Sequence, residues 1–178
     1  MKMKFLALLL AGVAAVKAPD PVNFPGAAQA LDPTGRYAVV WVAPDAHATD
    51  GGQQELLLRI EASGVKRHLL SFRRSATVFW APGGNALAIK DRLGRDRSTV
   101  LVFFPDKPGV TDLDAELMKA FSPLPERTEN HHVYLEVVRW LGPKSLRVRL
   151  RGYGEHDPEG FDELFDYELG GRLKRAVI

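Results

Sequence analysis

An acidic segment near the C-terminal end holds the side chains best suited to chemistry. Residues 155–168 contain seven acids and neither lysine nor arginine. Carboxylate oxygens are the preferred ligands of hard cations such as Ca²⁺, although the spacing is not that of an EF-hand loop. The candidate binding residues at the start of this segment are Glu155, His156, Asp157, Glu159 and Asp162. One hypothesis is therefore a cation-binding structural protein that uses residues 155–168.

An arginine-rich strand before this segment favours a different role for the acids. Arg147, Arg149 and Arg151 alternate with apolar residues, so they share one face of a strand. If residues 145–151 pair antiparallel with residues 162–169, Asp162 and Asp166 face these arginines. Opposite charges on neighbouring strands stabilise a sheet. The sequence favours this charge ladder on the solvent face over a calcium site.

The five histidines give only a weak indication of a site. His131 and His132 are adjacent, and adjacent strand residues point to opposite faces, so both would ligate one metal only at a bulge. His47 and His68 stand alone, which is typical of surface histidines. An enzyme with a site built from scattered residues stays an alternative, with the candidates His131, His132, Glu155, His156 and Asp157.

Common catalytic motifs do not occur in the chain. There is no Gly-x-Ser-x-Gly elbow, no glycine-rich phosphate loop and no His-Glu-x-x-His pair. The chain also has no cysteine, which excludes disulfides, thiolate metal sites and a lipid-modified cysteine. We expect no cofactor and no metal, and we favour a non-enzymatic protein.

The N-terminus has the three regions of a secretory signal peptide. Lys2 and Lys4 precede an uncharged apolar run over residues 5–16, and small residues follow. Cleavage is expected after Ala15 or Ala18, and Pro19 disfavours the second site. The sequence therefore predicts a signal peptide over residues 1–18 and an exported protein, periplasmic or extracellular; an uncleaved anchor is the alternative.

The basic character of the chain comes largely from this leader. The formal net charge is +2, and residues 1–18 include three of the 24 basic residues and none of the 22 acidic ones. A mature chain close to neutral gives no support to nucleic-acid binding. We expect no membrane span after the leader is removed.

The mature chain, residues 19–178, has the pattern of a single domain that is mainly β. Short β-branched, aromatic or leucine-rich runs alternate with Gly, Pro, Ser and Asp, which is typical of strands joined by turns. The predicted strands are 37–42, 55–60, 66–72, 76–80, 86–90, 98–104, 133–140, 145–151, 163–169 and 172–177.

One helix interrupts this series. Apolar residues recur on one helical face of residues 111–121, with acids at its start and Lys119 near its end. Proline-containing flanks on both sides indicate a helical insertion over residues 105–130. Its expected role is to cover the sheet.

Internal repetition is the most informative pattern. A proline turn followed by an apolar strand occurs at residues 32–37 (DPTGRY), 80–87 (WAPGGNAL) and 140–146 (WLGPKSL). Two hairpin-like stretches, 58–67 and 166–175, also match each other. These residues resemble the blades of the exported β-propellers related to the periplasmic protein of the Tol system, in which an Asp-Pro-x-Gly-Lys/Arg turn links one blade to the next. The resemblance implies four-stranded antiparallel units and a role in protein contacts.

Three such units are the most that the chain can supply. A ring needs at least about four blades of roughly 40 residues each. We therefore expect about three blade-like or meander units and an open sheet edge. Lys174 and Arg175 on the final strand could blunt that edge. The favoured function is an exported, non-enzymatic β-sheet binding or scaffold module, whose partner is another protein or a second copy joined by strand addition.

Overall fold

The computed structural model describes residues 17–44, 52–121, 132–155 and 157–176. Short strands separated by turns dominate these ranges, and one helix follows the ninth strand. The strands are β1 Val22–Phe24, β2 Gln29–Leu31, β3 Tyr37–Val42, β4 Gln54–Ile60, β5 Lys66–Phe72, β6 Ala76–Trp80, β7 Leu87–Asp91, β8 Arg97–Phe103, β9 Val110–Asp112, β10 His132–Gly142, β11 Ser145–Tyr153, β12 Phe161–Glu168 and β13 Arg172–Ala176; the helix is α1, Leu113–Ala120.

The strands form three antiparallel four-stranded meanders in chain order. Unit 1 is β2–β5, unit 2 is β6–β9 and unit 3 is β10–β13. The strand β1 adds to the free edge of β6, and β8 pairs in parallel with the start of β10, so units 2 and 3 belong to one sheet. The predicted fold class, mainly β with about three meander units and one inserted helix, is confirmed, and the units do not close into a ring.

The three repeat turns occupy the same place in their units. Each joins the first strand of a unit to the second. In unit 1 the Asp32 carboxylate accepts hydrogen bonds from the amides of Thr34 (3.0 Å) and Tyr37 (2.7 Å), and Gly35 has a φ of 71°. Position by position, Gly84 takes the same role in unit 2, with a φ of 65°. The turn therefore lies within a unit, not between two units as the resemblance implies.

The two matching hairpins are also equivalent. The first joins β4 to β5 and the second joins β12 to β13, which are the third and fourth strands of units 1 and 3. The repeats seen in the sequence therefore correspond to whole structural units.

The units stack face to face around two hydrophobic cores. The core between units 1 and 2 includes Val39, Leu56 and Ile89. The core between units 2 and 3 includes Val100 and Leu135 together with one face of α1. Unit 2 is thus apolar on both faces, as expected for the middle layer of a stack.

The helix α1 closes one side of the second core. Asp112 caps it by accepting from the amides of Asp114 (3.0 Å) and Ala115 (3.4 Å), and Leu113 and Leu117 are fully buried. The predicted helix over 111–121 is confirmed. The strand β9 also lies inside the predicted insertion 105–130, of which residues 122–130 are outside the described part.

The predicted leader is mostly beyond the described residues, which begin at Lys17. Within the described ranges, no helix has the length and apolar character needed to cross a membrane.

Candidate functional site

The predicted charge ladder covers the outer face of unit 3. The strands β11 and β12 pair antiparallel, with Arg147 opposite Asp166 and Arg151 opposite Asp162. Arg147 makes two hydrogen bonds to Asp166, at 2.7 and 3.0 Å. Arg149 reaches diagonally and binds both carboxylate oxygens of Asp162. The prediction that the acids meet the arginines is therefore confirmed.

These ion pairs fix the charge state of the acids. The hydrogen bonds from Arg147 hold the pKa of Asp166 below its ordinary value, and those from Arg149 do the same for Asp162. A carboxylate held by a planar guanidinium in this way has both oxygens engaged. These ion pairs join β11 to β12 across the outer face of unit 3.

The other predicted site residues lie in the loop between β11 and β12. Asp157 closes this loop: its backbone exchanges two hydrogen bonds with Gly154 (3.0 and 3.2 Å), and its carboxylate accepts from the amide of Gly160 (3.0 Å). Glu155 is exposed, and His156 is outside the described residues. Among the described side chains, no group of three or more His, Cys, Asp or Glu is placed to hold a metal ion.

The described histidines have structural partners. His132 stacks on Tyr153, with ring centres 4.8 Å apart and ring planes 5° apart. His68 hydrogen-bonds to Ser71 at 2.9 Å. His47 and His131 lie outside the described residues. Of the five candidates for an enzymatic site, the structure describes His132, Glu155 and Asp157.

Two of the predicted residues do line a depression, which we term the aromatic groove. Glu159 and Asp162 form one side of it, and its volume is about 410 Å³. The aromatic groove is lined by Tyr134, Arg149, Arg151, Gly152, Tyr153, Pro158, Glu159, Phe161 and Asp162.

A larger cleft lies beside the strand β10, where the sequence analysis placed no site. Its volume is about 830 Å³. We term it the apolar cleft, and it is lined by Lys17, Ala18, Pro19, Pro21, Phe79, Pro82, Gly83, Val138, Arg139, Trp140, Leu141, Gly142 and Pro143. This volume is within the range of about 300–1,000 Å³ that is usual for ligand sites.

Two irregularities in β10 build the apolar cleft. The pairing of β10 with β11 skips Val138 and then Leu141, so each is the extra residue of a β-bulge. Val138 is 45% exposed and Leu141 is 40% exposed, although both are large and apolar. The bulges therefore turn two apolar side chains out of the protein core and into the cleft.

The charges at the rim of the apolar cleft are positive. Arg139 is exposed and belongs to the mature chain, whereas Lys17, which pairs with the exposed carboxylate of Asp20 at 4.0 Å, lies within the predicted leader. All other lining residues of the apolar cleft are uncharged. The cleft would therefore favour an apolar ligand with acidic groups at its border.

One edge of β10 is open next to this cleft. The strand pairs with β11 along its length, whereas β8 pairs with its other edge only at Val133 and Tyr134. No further strand of the described residues pairs with that edge beyond Tyr134. Backbone donors and acceptors on an open edge are a template for an added strand.

A break in the alternation of apolar residues along β10 indicates this site in the sequence. In β10 the side chains of Val133, Leu135 and Val137 contact the core at a spacing of two residues. The next core side chain is that of Trp140, three residues after Val137. A spacing of three in a strand breaks the alternation of two, which indicates a bulge.

Comparison with known proteins does not assign either site. No family model and no curated protein matches the chain.

Proposed function

We propose that this chain is an exported, non-enzymatic binding module that takes an extended, apolar segment of another protein at the open edge of β10. The observation that carries the proposal is the pair of β-bulges that turns Val138 and Leu141 into the apolar cleft beside that edge. The leader predicted for residues 1–18 supports export, and the resemblance to Tol-system propeller blades supports a role in protein contacts.

A strand edge next to a side-chain cleft is suited to an extended peptide. The edge offers backbone hydrogen bonds, and the cleft receives alternate side chains of the added strand. The bulges at Val138 and Leu141 restrict regular pairing to a short stretch of β10. We therefore expect a short peptide segment, recognised by its apolar side chains as much as by its backbone.

The charge around the cleft narrows the class of peptide. In the mature chain, residues 19–178, Arg139 is the charged residue that lines the cleft, and it is cationic. An acidic residue next to the apolar segment would be attracted to this rim, mainly increasing the rate of association.

The other sheet edges are less suited to a partner strand. The edge strands β1, β2 and β9 have three residues each, and β5 carries a bulge where its register with β4 shifts. The final strand β13 is basic, and its Arg172 and Lys174 contact Glu168 of the same unit. Short, bulged or charged edges resist pairing with another chain.

Selection of peptides on the mature protein tests this proposal. A displayed library of random linear peptides is selected on the wild-type protein alone, and the affinity of each selected peptide is then measured for Leu141→Asp, in which a carboxylate enters the cleft. The expected peptides contain alternate apolar residues next to an acid and lose at least about tenfold in affinity with Leu141→Asp.

A matched control separates the cleft from general surface hydrophobicity. Val110 on β9 is also an exposed apolar residue outside the cleft. Val110→Asp should leave peptide affinity unchanged, and both variants should keep the wild-type circular dichroism spectrum. Peptides that bind wild type and folded Leu141→Asp equally, or the absence of any selected peptide, would overturn the proposal.

A further inference from the structure

The aromatic groove is separate from the apolar cleft, since the two share no lining residue. It lies on the outer face of unit 3, where β10, β11 and β12 run side by side. Ligand binding at the aromatic groove can therefore be tested independently of peptide binding at the apolar cleft.

Aromatic rings form the floor of the groove. Tyr153 is 49% exposed, stacks flat on His132, and lies 6.3 Å from the ring of Tyr134. The Tyr134 hydroxyl donates to the carbonyl of Arg95 at 3.1 Å, and the Arg151 guanidinium lies 5.5 Å from the Tyr134 ring centre. These contacts hold the rings in place without a ligand, which lowers the entropy cost of binding.

Two glycines allow the loop that forms the wall of the groove to lie close against β11. Gly160 has a φ of 65°, and a side chain there would overlap the carbonyl of Gly152 on the neighbouring strand. This close approach, together with the hydrogen bond from the Gly160 amide to Asp157, positions Pro158 and Glu159 beside the rings.

The groove carries no excess of positive charge. Arg149 is paired with Asp162, and Arg151 contacts Glu136 at 3.3 Å. Glu159 adds one more carboxylate. A polyanion such as nucleic acid is bound by uncompensated cations, which this groove does not offer.

We propose that the aromatic groove binds a neutral saccharide. A sugar ring has an apolar C–H face that can lie on Tyr153, and its hydroxyls both donate and accept hydrogen bonds. Glu159 and Asp162 supply acceptors, and Arg149 and Arg151 supply donors at the same rim. A rigid aromatic surface bordered by a few convergent polar groups is the usual construction of a small-ligand site.

Binding of the mature protein to an array of neutral and acidic oligosaccharides, followed by calorimetric titration of the best binder, tests this inference. Tyr153→Ala removes the ring and should weaken binding by at least about tenfold. Tyr153→Phe keeps the ring and should bind within about threefold of wild type. Leu141→Asp, in the apolar cleft, should bind the saccharide as wild type does, so this test can succeed or fail independently of the peptide proposal.

Three outcomes would overturn the inference. They are the absence of binding to any oligosaccharide, binding to acidic oligosaccharides alone that disappears with added salt, and equal binding by wild type and Tyr153→Ala.

Discussion

The indole nitrogen of Trp140 donates a hydrogen bond to the backbone carbonyl of Phe79, at 3.0 Å. Trp140 is the last buried residue of β10, the first strand of unit 3. Phe79 lies in β6, the first strand of unit 2. The same contact occurs one unit earlier, where Trp80 donates to the carbonyl of Ala30 in unit 1 at 3.2 Å. Leu31 precedes the repeat turn of unit 1 as Trp80 precedes that of unit 2, and it is 50% exposed. Within the described residues, no four-stranded unit precedes unit 1.

Replacing Trp140 with Phe tests the importance of this contact for the stack. The change removes the indole N–H, so the Phe79 carbonyl loses this hydrogen bond. The free energy of unfolding should therefore fall by about 1–3 kcal/mol. Urea denaturation measures the change. Trp41 is a matched control because its indole donates to Gln54 within unit 1 (3.1 Å), and Trp41→Phe should cost less. Equal losses would mean that the contact between units has no special weight.

Reversing the charge of Arg149 tests the ladder. Arg149→Glu places a carboxylate beside Asp162 and Glu136, so the urea midpoint should fall while the protein still unfolds in one cooperative transition. Arg149→Gln removes the attraction to Asp162 without adding repulsion. Its urea midpoint should lie between those of wild type and Arg149→Glu. A rise in melting temperature with calcium that Asp157→Ala abolishes would instead indicate that the acidic loop binds a cation.

Asp91 should make stability depend on pH in the opposite sense from the ladder. Its Oδ1 has no hydrogen-bond partner in the described structure, and burial raises its pKa to about 6. An unfolded aspartate titrates at about 4, so the stabilisation from protonated Asp91 is complete below that pH and is lost as the pH rises through about 6.

Asp91→Asn should therefore raise the melting temperature at pH 8 and have little effect at pH 4. Thermal denaturation at the two pH values measures the difference. Asp106→Asn, at an exposed position, is the control and should change neither value. A gain at pH 4 that matches the gain at pH 8 would show that Asp91 is not the titrating group.

Local patterns predicted most of the fold. In the sequence, strands of five or more residues are marked by an alternating or continuous apolar run. The helix α1 is marked by apolar residues on one helical face and by an N-cap at Asp112. The strands β1, β2 and β9 have three residues each, which is too short for a period to be read. They form through pairing with β6, β3 and β8, which depends on the rest of the fold.

The sites were less predictable because they depend on contacts distant in sequence. The ladder could be predicted, since the alternation of Arg147, Arg149 and Arg151 determines a shared face once β11 pairs with β12. The apolar cleft could not, because it joins residues 17–21 to β6 and β10. Of the predicted binding residues, Glu159 and Asp162 line the aromatic groove, and the rings that give it its character were not singled out.

The most direct test of the proposed function is the affinity of a selected peptide whose backbone amides are methylated one at a time. An amide that donates to the open edge of β10 cannot do so after N-methylation, whereas an amide that points away is unaffected. We expect methylation at alternate positions of the peptide to lower affinity by about tenfold or more, and methylation at the positions between them to change it little. Equal tolerance of methylation at every position would contradict strand addition at β10.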